Sequence, residues 1–176
     1  MALARVYNVD TGTTVAGWIP LGTAAAGTEY TLMTGTTPST TEYNISAIRI
    51  AVASGSSASY PTNGSITFRV RRISGGTAAV IAGSGTASPA GQSTLAAQSV
   101  WLYGTASSAG TGTVNTLSNV LWSQTIPYTA GANWAEWFTP GFELNVPASS
   151  TAALTYTFNN GTSSATFVIP EFVISE

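Results

Sequence analysis

Hydrophobic and polar residues alternate with a period of two in several separate stretches of the chain. In AIRIAVA (47–53), Ile48, Ile50 and Val52 fall on one side and Ala47, Arg49 and Ala51 on the other. SITFRVRRI (65–73) sets Ile66, Phe68 and Val70 against Thr67, Arg69 and Arg71. Successive side chains leave a pleated backbone on opposite sides, so this pattern predicts strands with one face buried. FELNV (142–146), LTYTF (154–158) and ATFVI (165–169) repeat it, and VLWSQTI (120–126) is a shorter case. VWLYG (100–104) reads as a strand or as the close of a brief helix begun at Thr94. NNGTSS (159–164) joins two of the runs, and its Asn-Gly supplies the positive φ that a tight hairpin needs. A last strand, EFVIS (171–175), follows Pro170; Pro127, Pro140 and Pro147 likewise stand at the ends of runs, where a missing ladder donor does least harm.

About eight short strands with Gly-rich turns and no long helical pattern predict an all-β fold, an antiparallel β-sandwich of jelly-roll type. The Gly/Ser/Ala-rich stretches 54–59, 75–92 and 104–113 read as its long loops. Residues 1–40 alternate only in fragments, around Val6 to Val9 and Tyr30 to Leu32. Two readings of them stand: an extended N-terminal arm or edge strand that lies across a neighbouring surface, or an irregular strand pair packed on its own domain. The sandwich domain is then 41–176.

Composition sharpens the picture through what is missing. Charged residues make up 7% of the 176, against about 25% in an ordinary globular protein. Hydrophobic residues make up 44%, enough for a core, so the scarcity of charge signals a neutral exterior of hydroxyls, amides and backbone, not disorder. The formal net charge is −2 with no lysine, which removes the electrostatic footprint of a nucleic-acid-binding domain. MALAR (1–5) lacks the basic start and apolar run of a secretory signal, and no apolar run has the length of a membrane helix, so no membrane partner is expected. Strands of an outer-membrane barrel run about 9–11 residues, longer than the readable runs.

Catalytic chemistry finds little to work with. There is no histidine and no cysteine, which removes the commonest general base, the usual nucleophile triads and thiolate metal sites. Glu143 and Glu171 are the best candidates for a pair of glycosidase carboxylates, but both stand at outward positions of their runs, where a solvated or arginine-paired side chain is the default. A single aspartate, Asp10, gives no calcium cluster. No catalytic, cofactor-binding or metal-ligating residue is assigned and no cofactor is expected.

Binding is the better reading. NWAEWF (133–138) gathers Trp134 and Trp137 beside Glu136, a candidate glycan platform, with the alternative that the two indoles plug an end of the core. Arg69 and Arg71 project from one strand face, and with Trp18 they are candidate interface residues, since arginine is enriched at interface cores. The competing reading is a cross-strand pair within the chain, with Glu143 or Glu171 as partner. A chain without a charged exterior lacks the usual protection against association, which suits a tile in an assembly.

The small Ala/Gly/Ser/Thr-rich sandwich with its N-terminal segment, and the ending FELNVPASSTAALTYTFNNGTSSATFVIPEFVISE, resemble structural proteins of tailed bacteriophages, in style the capsid decoration or cement proteins. That resemblance implies a virion protein on the capsid surface, a homotrimer that clamps major capsid subunits and stabilises the shell. It carries over no functional residue. A carbohydrate- or receptor-binding module, including a tail or baseplate component, is the alternative.

Overall fold

The computed structural model describes residues 6–10, 19–21, 26–59, 64–74, 84–87, 90–91, 98–104, 119–160 and 164–176, and Trp18 lies outside them. Among these residues there are thirteen strands and no helix. Two antiparallel sheets pack against each other as the β-sandwich that the alternation predicts. One sheet has the order β10 (Asn133–Trp137), β4 (Tyr43–Ser59), β13 (Ser164–Ser175), β1 (Val6–Asp10) and β7 (Ala90–Gly91). In the same sheet β11 (Leu144–Val146) also pairs with β4, and β2 (Ile19–Leu21) with β13. The other sheet has the order β6 (Ser84–Ala87), β8 (Val100–Gly104), β3 (Glu29–Thr36), β12 (Ser150–Phe158), β5 (Ser65–Ser74) and β9 (Asn119–Pro127).

The chain keeps changing sheet, from β3 to β4 to β5 and again from β11 to β12 to β13, so strands adjacent in sequence face each other across the core. VWLYG is the strand β8 and not a helix end. Within residues 1–40, β3 is an interior strand between β8 and β12, while β1 pairs with β13 along its whole length.

ATFVI and EFVIS are one continuous strand, β13, that runs straight through Pro170. The register explains how. Val52 donates and accepts backbone hydrogen bonds on the side away from β13, to Ala132 and Gly131. By alternation Ile50 turns the same way, so its partner Pro170 forms a pair without ladder bonds and turns its nitrogen from β4. On that far side β2 covers Thr166 to Val168 and β1 covers Glu171 to Ser175, so the missing N–H falls in the interval between two partners.

The core is the set of inward positions: Ile48, Ile50 and Val52 of β4, Phe68 and Val70 of β5, Leu154, Tyr156 and Phe158 of β12, Phe172 and Ile174 of β13. Each such side chain contributes about 1.5–3 kcal/mol by leaving water. Trp101 of β8 anchors one end, with ring centroids 5.4 Å from Tyr43 and 5.3 Å from Phe172. Its indole N–H donates to Ser99 Oγ at 3.0 Å, and the Ser99 hydroxyl in turn donates to the Glu176 carboxylate. That carboxylate also accepts from the backbone N–H groups of Gln98 and Ser99 at 2.7 and 2.9 Å, tying the end of β13 to the entry of β8.

Trp101 lies flat on its cross-strand partner Gly35, whose carbonyl accepts from the Tyr43 hydroxyl at 2.9 Å. A Cβ at Gly35 would stand 2.6 Å from Trp101 Cζ2, closer than any packed pair tolerates. Gly35→Ala is therefore expected to cost about 1–3 kcal/mol in urea unfolding, the range for overpacking a filled core. Adding Trp101→Leu should return part of that loss as a coupling between the two sites. Simple additivity in the double-mutant cycle would show that the ring is not what excludes the methyl group.

Candidate functional site

The arginine-rich strand β5 lies beside β12, and β12 is buried on both faces. Its inward residues belong to the core; its outward residues Thr151, Ala153, Thr155 and Thr157 are also buried. A buried hydroxyl needs a partner, since leaving one unpaired costs about 1–3 kcal/mol. The neighbouring strands supply them. Thr36 and Thr151 hydroxyls share a bond of 3.2 Å, Arg69 Nη1 donates to Thr157 Oγ1 at 2.9 Å, and Thr155 Oγ1 donates to Glu29 Oε1.

Glu29 is the hub. Arg71 donates to both of its oxygens, from Nε and Nη2, at 2.7 Å each, and Arg69 Nη1 stands 3.7 Å from Oε2. The two-pronged geometry is the one a planar guanidinium makes and an ammonium does not. Glu29 and Arg71 keep side-chain exposures of 18% and 15%, so this pair is screened far less than a surface one. Burial alone would raise the Glu29 carboxyl. Hydrogen bonds from Arg71 and Thr155, with the charges of Arg71 and Arg69, outweigh it and hold the group below its ordinary value. The same bond, opposed by burial and helped by the Glu29 charge, raises Arg71.

Arg69 and Arg71 thus find an intrachain partner, and it is Glu29, contributed by the first 40 residues, rather than Glu143 or Glu171. Glu143 lies in the turn before β11 and accepts from the Gly141 N–H at 2.6 Å. Glu171 pairs across strands with Arg49 at 3.1 Å. Arg72 has no ion-pair partner among the described residues.

The outer face of the other sheet holds a hollow of about 310 Å³. Two rungs of side chains make it. Trp137, Ala47 and Val173 stand side by side on β10, β4 and β13, and the next rung carries Ala135, Arg49 and Glu171. The alanines leave the opening, and Trp137, 74% exposed, walls it. Trp134 is not part of it. Three residues apart in a strand, the two indoles point to opposite faces: Trp134 sits opposite buried Ile50, on the inner side, and Trp137 opposite Ala47 on the outer. Glu136, also on the inner side, accepts from the Trp122 indole N–H at 2.7 Å. The structure therefore splits the Trp134–Trp137 platform and gathers instead Trp137, Arg49 and Glu171, a grouping that no run of sequence displays.

Phe142, 77% exposed, caps the short excursion 139–143 that separates β10 from β11 along the same side of β4. Gly141 in that excursion has φ of +89°, a value suited to glycine. Among the described residues no group of three or more His, Cys, Asp or Glu gathers as metal ligands would. Comparison with protein-family models, with curated proteins and with solved structures gives no match.

The Glu29 cluster predicts an acid-sensitive contribution to stability. A carboxyl lowered by folding stabilises above its unfolded value, near 4.5, and that stabilisation disappears as pH falls through the lower folded value. Glu29→Gln should cost about 1–3 kcal/mol at neutral pH, from the weakened bonds to Arg71 and Arg69. In denaturant melts the gap between wild type and variant should narrow steadily below pH 4.5. A gap that stays constant into strong acid would rule out the ionised carboxylate as its source.

Proposed function

We propose that this protein is a non-enzymatic structural component of a virus particle, a capsid-decorating sandwich that works as a homotrimer on major capsid subunits. The observation that carries the reading is that, among the described residues, much of the chain's scarce charge is answered within the chain. Glu29 takes Arg69 and Arg71, Glu171 takes Arg49, and Glu136, Glu143 and Glu176 accept hydrogen bonds from indole, hydroxyl or backbone donors. Apart from Glu42, Arg72 and the half-exposed Arg49–Glu171 pair, the described exterior is mostly uncharged, with Val100, Val120 and Phe142 at 56%, 46% and 77% exposure. Contacts made by such groups draw little on screened charge and hold at high salt. Aromatic side chains in particular anchor interfaces that are otherwise shape-matched hydroxyls and backbone.

Arg69 and Arg71, bound to Glu29, belong to the fold in this reading, and the contact surface rests on the exposed apolar groups. The mechanism is mass action. A protein that binds the assembled shell and not its dispersed subunits shifts the equilibrium toward assembly by RT ln(1 + [L]/Kd), about 2.7 kcal/mol at a hundredfold excess over Kd.

The test is a pair of otherwise identical particle preparations, with and without the protein, heated in parallel while genome release is followed. Decorated particles should rupture at a higher temperature. Phe142→Asp should leave the melting temperature of the isolated protein within experimental scatter yet weaken attachment at least about tenfold, a change of about 1.4 kcal/mol. Equal rupture temperatures would sink the reading.

A further inference from the structure

The hollow on the outer face of the seven-stranded sheet is not needed for shell attachment as proposed above, and its chemistry is specific. We propose that it binds a neutral saccharide, one pyranose ring stacked on Trp137 with its hydroxyl edge on the Arg49–Glu171 pair.

The register dictates an amphipathic site. On one rung an exposed indole faces across Ala47 to Val173, two strands and therefore about 10 Å away. On the next rung, about 7 Å along the strands, Arg49 and Glu171 present polar atoms beside Ala135. A pyranose has the same division: a C–H face that stacks on an aromatic plane and an edge of hydroxyls. The hollow, about 310 Å³, is at the small end of ligand sites, which run from about 300 Å³ upward.

The polar rung selects for neutrality. Arg49 donates to Glu171 Oε2 through Nη1 at 3.1 Å. A guanidinium has five N–H donors and a carboxylate two acceptor oxygens, so one bond leaves four donors and one oxygen unused. Arg49 is 59% exposed and Glu171 35%, so those atoms reach solvent. Adjacent donor and acceptor suit hydroxyls, each of which both gives and takes a hydrogen bond. An anion or a cation would meet a like charge beside the unlike one, so neither sign is favoured over a neutral hydroxyl. The indole adds the affinity: 74% of Trp137 is in water in the free protein, and covering it with a ring face removes apolar area from solvent.

The experiment is a titration of the full chain, followed by amide and indole NMR signals, with methyl glycosides of neutral hexoses and N-acetylhexosamines and, in parallel, with uronic and sialic acid glycosides. At least one neutral glycoside should shift the Trp137 indole N–H and the amides of Ala47, Arg49, Glu171 and Val173, with Kd of about 1 mM, the range of a shallow site. Trp137→Ala should weaken binding about tenfold or more, and Arg49→Lys, which keeps the charge and loses the planar fork, should weaken it several-fold. Trp134→Phe, on the opposite face of the sheet, should titrate as wild type.

Thermal melts of each variant separate loss of binding from loss of fold. No response to any glycoside up to about 50 mM, well beyond the expected Kd, overturns the proposal. So does unchanged binding in Trp137→Ala, or a preference for the acidic sugars. Loss of particle attachment by Trp137→Ala without any glycoside response would make the hollow a protein socket and equally overturn it. None of these outcomes depends on whether decorated shells resist heat.

Discussion

A strand buried on both faces takes polar atoms out of water on both sides, and β12 is such a strand: its outer threonines are answered by neighbours, while the inward Tyr156 hydroxyl has no hydrogen-bond partner among the described residues. Flanked by β3 and β5, it gives its inner side chains to the core and holds threonines on the outer side, where no bulk solvent reaches Thr155. Thr155 and Thr157 are answered by Glu29 and Arg69, and Arg71 locks Glu29 in place. The gathering of arginines on β5 is thus a consequence of the strand beside it. It fixes the position of β3 relative to β5 across β12, and so joins the first part of the chain to the sandwich.

Only 7% of the residues are charged, and two of the five arginines and one of the seven acids are taken up by this cluster. The described exterior carries apolar groups such as Val100, Val120 and Phe142. The hollow beside Trp137 is a separate feature of the opposite sheet, where two alanines between an indole and an ion pair give a concave place on the outer face.

Most of the fold was legible because alternation is a local property. AIRIAVA, ITFRVRRI and LTYTF each declare a strand and a buried side without reference to the rest of the chain, and β4, β5 and β12 follow. Two things were not. LTYTF reads as half-exposed, since threonine is polar, and only the neighbours of β12 reveal that both its faces are covered. Glu29 stands 42 residues from Arg71, so their pairing depends on strand order, which no run of residues states. The separation of Trp134 from Trp137 was readable in principle: a spacing of three reverses the face once the stretch is known to be a strand, whereas clustering in the sequence suggested a shared platform. The trio Trp137, Arg49 and Glu171 needed three strands to be set in register.

β13 lies between β4 on one side and β1 and β2 on the other, and it follows all of them in the chain. During synthesis the centre of that sheet emerges from the ribosome after the strands that flank it. Until it arrives, β1, β2 and one edge of β4 wait with open backbone groups, and long-range closure of this kind is slow. Nascent chains of this composition carry little charge to hold those edges apart, which places the hazard of clumping in the interval before β13 inserts.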